Sequence, residues 1–380
     1  MRTHVSAMAD DSGGMLSWDE SVFRDEHVFE IDYVPDAFRH RESQLQTLQY
    51  ALRPAVRGNR PLNAMVRGPP GTGKTTAIQK LFGELGGRPG VRPVRVNCQV
   101  DATRYGVFSR VFQSIFDYEP PSSGVSFKKL FGQVADRLVD EEEVLVVALD
   151  DVNYLFYENE ASDTLYSLLR AHETHPGAKV GVVLVCSDTD LDVIEALDGR
   201  VQSVFRPEEA YFPVYDREEV ADILGERVRV GFRDGALPMN VLDRVAEQTA
   251  EAGDLRVGID MLRRAGLHAE SRASETVAIE DVEAVSERAR NHRLTRDIET
   301  LSDAERELLG TIADHDGGRA GDVYDAFADR TDLGYTRYTE LVNKLDRLDL
   351  IDARYESLEG RGRSRTLTLA HDAEAVERRL

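Results

Sequence analysis

The sequence predicts an α/β chain in three parts: a P-loop nucleotide-binding domain on a parallel sheet, a small helical lid domain, and a C-terminal winged-helix domain. Three observations predict it. A phosphate loop, Gly68-x-x-x-x-Gly73-Lys74-Thr75, stands between a short apolar strand and a helix-forming stretch. A near-continuous apolar run, Val144 to Leu149, ends in two acids. From about Asp216 the apolar spacing becomes purely helical, and the last segment carries three amphipathic helices followed by two stretches of period two. At 380 residues the chain has room for two or three domains.

Residues 1–20 read as a polar, disordered tail without the apolar core of a leader peptide. No apolar run reaches the ~18 residues of a membrane span, so no membrane partner is expected and the protein is read as cytoplasmic. Cys98 and Cys186 each lie inside an apolar run and read as buried free thiols. The formal net charge is -22, yet only six of the 47 basic residues are lysine. Acid excess with lysine depletion suits concentrated salt, where the Debye length shrinks to ~3 Å at 1 M and self-repulsion is screened. A halophilic source therefore removes the usual argument that so acidic a chain avoids nucleic acid.

Residues 21–215 form the predicted nucleotide-binding domain. In "NAMVRGPPGTGKTTAIQKLF", Gly68, Pro69, Pro70, Gly71, Thr72 and Gly73 let backbone N–H groups converge on phosphates, and the helix N-terminus adds its dipole. Lys74 would reach the β and γ phosphates of ATP, Thr75 would sit on Mg²⁺, and Thr76 follows in the first turn. Asp150 would hold Mg²⁺ through water, with Asp151 orienting the attacking water. A second buried run, "AKVGVVLVCSDTDLD", is expected to be the neighbouring strand, with Thr189 near its carboxyl end facing the γ-phosphate. Arg200, on a turn after a helix, could reach a neighbouring subunit's nucleotide as an arginine finger.

Residues 216–295 form the predicted lid, with Arg256 at the start of its third helix. "RNHRLTRDIETLS" reads as a polar connector into the last unit, residues 296–380. There the third helix, near Tyr335 to Lys344, would enter a major groove with Thr336, Arg337, Thr339, Asn343 and Lys344 as contacts. Arg361, Arg363 and Arg365 would stand at the tip of a β-wing, against phosphates or in a minor groove.

Together, "GPPGTGKTT", "VVALDDVNYL", "LDGRV", "GDLRVGIDMLRRA" and "FPVYDREEVADILGERV" resemble the archaeal origin-recognition/cell-division-cycle branch of replication initiators, within the AAA+ ATPases. The resemblance runs from about Phe23 to Leu369. It implies that "DYVPDAFRHRESQL", with Val34, Pro35 and Arg41, packs beside the adenine, and that Tyr215 and Arg227 touch the nucleotide. It implies that "FDYEPPSSGVSFKKLFGQV", with Lys128 and Lys129, is a helical insertion that meets DNA. It further implies tight ATP or ADP binding with slow hydrolysis used as a switch, double-stranded origin DNA as partner, further initiator copies on that DNA, and help in loading the minichromosome-maintenance helicase. Departures are Thr189 where asparagine is usual, Gly199 where proline often precedes the arginine, and aspartate as the second acid. An ATPase-gated transcriptional regulator, a plasmid-type paralogue and a clamp-loader-type ATPase are the alternatives; the winged helix argues against the last.

Overall fold

The computed structural model describes residues 21–380 apart from 31, 122–124, 300, 316–317, 349 and 358–362. The chain divides into two compact units between Ile279 and Glu280.

The first unit is built on five strands: β1 (Ala64–Arg67), β2 (Val91–Asn97), β3 (Val144–Asp150), β4 (Lys179–Cys186) and β5 (Glu208–Tyr211). All pair in parallel, in the order β2-β3-β4-β1-β5. Strand β3 is buried along its whole length and β4 nearly so, because helices cover both faces. One face packs on an aromatic core including Phe108, Phe112 and Phe205; the other packs on the helices Glu42–Leu52 and Lys74–Gly86. Both cysteines are free and buried in this unit, as expected, and burial pushes each thiol above its ordinary range. Phe127–Asp140, the helix of the predicted insertion, packs beside the helix Arg104–Phe116.

Three helices, Arg217–Gly231, Met239–Ala252 and Leu255–Ser271, complete the unit. The first opens on a capping box: the Asp216 carboxylate accepts from Glu219 N, and the Glu219 carboxylate accepts from Asp216 N. Residues just after position 20 also belong to this helical layer. Phe23 packs at a tilt against Phe29 and Phe232, and it lies so close to Gly266 that a Cβ there would come within 2.2 Å of its ring.

The expected polar connector is helical. Residues Ile279–Glu299 form one helix, since nothing in "SERARNHRLTRDIE" breaks a helix and arginine, leucine and glutamate favour one.

The second unit holds helices Asp303–Asp314, Ala320–Ala328 and Tyr335–Arg347, then β7 (Ile351–Ser357) antiparallel to β8 (Arg363–Leu369). A short strand, β6 (Gly318–Arg319), adds to β8. At two residues it is too brief for a periodicity signal. Leu308, Ile312, Phe327, Leu341, Leu345 and Leu367 fill the core between helices and sheet.

Candidate nucleotide site and candidate nucleic-acid interface

The phosphate loop follows β1 and turns into the helix Lys74–Gly86, and its shape needs glycine. Gly68, Gly71 and Gly73 all have positive φ, at 147°, 70° and 89°. A Cβ on Gly68 would lie 2.1 Å from the Phe212 carbonyl oxygen, and one on Gly71 would lie 1.8 Å from Asp254 Oδ1. Two glycines therefore let other segments approach the loop backbone, one of them the lid. Leu255 N also donates to Gly71 O at 3.4 Å, so the lid's third helix begins directly on the loop.

Lys74 is buried at 5% exposure, and its Nζ donates to Gly68 O and Pro69 O at 2.6 Å each. Burial lowers its pKa to about 8; the nearby Asp151 carboxylate opposes that shift, and the positive charge of Arg256 adds to it. Arg256 is exposed at the first turn of the lid helix, whose cap is the Asp254 carboxylate. The Thr72 hydroxyl donates to Pro69 O, bracing the loop, and Pro70 is exposed at its crest.

The acids stand at the carboxyl end of β3. Thr75 Oγ1 donates to Asp150 Oδ2 at 3.1 Å, bringing together the two predicted metal ligands. Asp150 is 1% exposed, and it is paired with Arg95 of β2, which sequence reasoning missed. Asp151 adopts φ 53°, a conformation an aspartate tolerates better than most residues. Its carboxylate accepts from Ser187 Oγ at 2.9 Å. Thr189, the residue expected here, is exposed two positions further on. Ser187 follows β4 directly and so stays level with the end of β3.

A cavity of about 180 Å³ adjoins the loop, lined by Tyr33, Pro35, Phe38, Gly73, Thr76, Tyr215, Arg227 and Leu255 among others. That is smaller than the ~300–1,000 Å³ of a whole small-molecule site and suits one flat ring system. Of the residues predicted to bind nucleotide, Pro35, Thr76, Tyr215 and Arg227 line it, whereas Val34 is not among the lining residues and Tyr33 and Phe38 are. Arg227 stacks over Tyr33 at 4.7 Å and donates to Val28 O, and its Nε is buried without a protein partner. Desolvation lowers its pKa, and also raises that of Tyr215 to about 12.

Arg41 differs from expectation. It is 2% exposed, donates to Thr72 O, His40 O and Pro213 O, and lies 3.6 Å from the Tyr215 ring centroid. A buried guanidinium must satisfy its donors, and here backbone carbonyls do so. Arg41 therefore holds the loop against the segment Phe212–Tyr215 and does not face the cavity. Arg200, half-exposed on the short helix Gly199–Gln202, pairs with Asp163 at 2.5 Å and Asp198 at 3.0 Å.

In the second unit the predicted contacts divide. Thr336 and Arg337 are exposed at the start of the helix Tyr335–Arg347; Arg337 pairs with Glu340, and the Thr339 hydroxyl donates to Tyr335 O. Lys344 instead turns inward and pairs with the buried Glu305 at 2.8 Å. Arg365 is not at a wing tip. It pairs with Tyr355 in the ladder and donates to Asn343 Oδ1 at 2.7 Å, with Asp346 at 3.5 Å, tying the hairpin to the helix. The backbone of Arg363 begins β8, opposite Ser357, and Arg361 lies outside the described residues. In the first unit, Lys128 and Lys129 are exposed in the first turn of their helix.

The loop with its lysine, the paired acids, and a helical lid seated on the loop define an AAA-type ATPase unit. Residues 37–185 match the AAA ATPase domain family, and 221–287 match the Cdc6 AAA+ ATPase-type lid domain. The chain is 75% identical over 371 residues to ORC1-type DNA replication protein 6 of Halobacterium salinarum, covering 98% of this chain and 99% of that one. ORC1-type DNA replication protein 3 of Haloarcula marismortui is 66% identical, at 98% and 100% coverage. The solved structure of Aeropyrum pernix ORC1 in complex with DNA superimposes with a TM-score of 0.71 at 28% identity, covering 94% of this chain and 96% of that one. This chain belongs to the family of ORC1-type DNA replication proteins. The haloarchaeal origin of these relatives agrees with the acid-rich, lysine-poor composition. Among the described residues, no helix is long and apolar enough to cross a membrane.

Proposed function

We propose that this chain is a cytoplasmic, ATP-dependent replication initiator that binds double-stranded origin DNA and helps load the minichromosome-maintenance helicase. The observation that carries the reading is the seating of the lid on the phosphate loop, Asp254 and Leu255 against Gly71, within a chain that matches ORC1-type proteins end to end. A group whose phosphates meet the loop must also meet the lid, so nucleotide state and lid position are coupled.

The residues present suit ATP or ADP. Loop N–H groups and Lys74 would take the phosphates, the cavity at Tyr33, Tyr215 and the unpartnered Arg227 Nε would take the base, and Thr75 and Asp150 would hold Mg²⁺. Mg²⁺ would supply charge neutralisation at the phosphates. Asp151, oriented by Ser187, would position water, while the exposed Thr189 and Arg256 would serve the γ-phosphate. Arg200 would have to leave Asp163 and Asp198 before serving a neighbouring copy, which favours slow hydrolysis in the isolated chain.

The helices Asp303–Asp314, Ala320–Ala328 and Tyr335–Arg347 with the sheet support a winged-helix domain, with the helix Tyr335–Arg347 in a major groove through Thr336 and Arg337 and with Arg363 at the start of β8 on the wing. Lys128 and Lys129 offer a second contact from the insertion. In concentrated salt, phosphate contacts lose much of their affinity, so base contacts and DNA shape must carry the binding.

The test is a footprint of the purified chain with ATP, in concentrated KCl, on DNA flanking its own gene. Protection of discrete repeats, lost in Arg363→Ala, is the expected result. Protection confined to promoters would replace this reading with that of a regulator, and no protection anywhere would overturn DNA recognition.

A further inference from the structure

Arg95 has no place in the roles above, yet it touches their most buried acid. It lies on β2, an edge strand, in register with Ala148 and two positions short of Asp150's own partner, Asn97. Its neighbours Val94 and Val96 are buried in the aromatic core, so the alternation of the strand sends Arg95 to the opposite face. Pro93, two residues away on that face, meets the helix of the phosphate loop at Gly86. Arg95 Nε donates to Asp150 Oδ2 at 2.8 Å, and Thr75 Oγ1 donates to the same oxygen at 3.1 Å. The Asp150 side chain is 2% exposed and the Arg95 side chain 33%, so the contact sits at the rim of a closed site.

We propose that Arg95 is a resident counter-cation for the metal-binding carboxylate, and that a divalent cation competes with it for Asp150. The inference rests on the nucleotide reading of this site. Without a divalent cation, Arg95 neutralises a buried negative charge that would otherwise repel phosphates entering the loop. When Mg²⁺ enters, with its octahedral shell and its own claim on that carboxylate, a guanidinium charge already stands within a few ångströms and disfavours it. Arg95 should thus make nucleotide binding tolerant of metal depletion while raising the Mg²⁺ concentration the site requires. It acts through Asp150 and is a positioning residue.

The two consequences have opposite signs, which separates this role from simple support of the fold. The measurement is titration of the full chain with a fluorescent ATP analogue in concentrated KCl, once in EDTA and once across a Mg²⁺ series. In Arg95→Gln, metal-free affinity should fall roughly tenfold, while the Mg²⁺ concentration for half the metal effect should also fall roughly tenfold, one unit charge having been removed from the site. Arg95→Lys should restore both in part, and it serves as the second variant should the glutamine form fold poorly. Weaker metal-free binding together with a higher Mg²⁺ midpoint, or an unmoved Mg²⁺ midpoint, would overturn the proposal. Failure of the unsubstituted chain to bind nucleotide in either medium, matching a Lys74→Ala control, would overturn the phosphate-loop reading and the proposal with it.

Discussion

The carboxyl end of the first unit's sheet and the outer helix of the second unit handle the same kind of residue in different ways. At the sheet, Lys74, Thr75, Asp150 and Asp151 converge within hydrogen-bonding or electrostatic reach of one another. On the helix Tyr335–Arg347, five residues singled out for one surface split between outward and inward roles. Arg337 faces out, while Lys344 is bound to Glu305 and Asn343 to Arg365. The difference is one of constraint. The loop's position follows from backbone conformations that only glycine tolerates, whereas a long basic side chain in a chain of 69 acidic residues takes whichever carboxylate the fold puts beside it.

Lys74→Ala gives the sharpest break. Nucleotide affinity should fall at least ~100-fold, since a charge-assisted contact in a closed site is worth about 3 kcal/mol or more, and far-ultraviolet circular dichroism should stay unchanged. Unchanged affinity would sever the loop from nucleotide binding.

pH probes the same residue more gently. Burial lowers the Lys74 pKa to about 8, so the folded chain holds that proton less tightly than the unfolded chain does. Stability of the nucleotide-free protein should therefore rise with pH from about 8 towards the ordinary lysine value of about 10.4, by linkage. Over the same window nucleotide affinity should fall, by up to ~tenfold per pH unit. Thermal melts and titrations at pH 7, 8 and 9 would check both signs, and Lys74→Ala should show neither.

The two cations of the outer helix make the third contrast. Lys344→Ala leaves the buried Glu305 carboxylate without its cation, with Ser302 N still donating to it, and should cost about 1–3 kcal/mol of stability in chemical denaturation of the second unit. Arg337→Ala should change stability by less than about 0.5 kcal/mol, since its pairing with Glu340 is a surface ion pair, while weakening DNA protection. If the two variants exchanged these phenotypes, the inward and outward assignments would be reversed.

Part of the site was legible from residue order because short-range rules govern it. The apolar runs announced β3 and β4, the glycines announced the loop, and helical spacing announced the lid. Ser187 could have been found by noting that it directly follows a buried strand, level with Asp151. Arg95, Arg41 and Arg365 carried no such signal.

The sequence by itself determined the kinds of element, their order, and the positions where backbone must approach backbone, since periodicity and glycine act within a few residues. Only the tertiary structure decided that the residues around Phe23 complete the lid's core, that Arg41 braces the loop, that Arg95 neutralises Asp150, and that Arg365 ties a hairpin to its helix. Each of those pairings spans a long stretch of chain between groups with several chemically equivalent partners. Which partner wins is set by what packing brings within about 3 Å, and no local pattern records it.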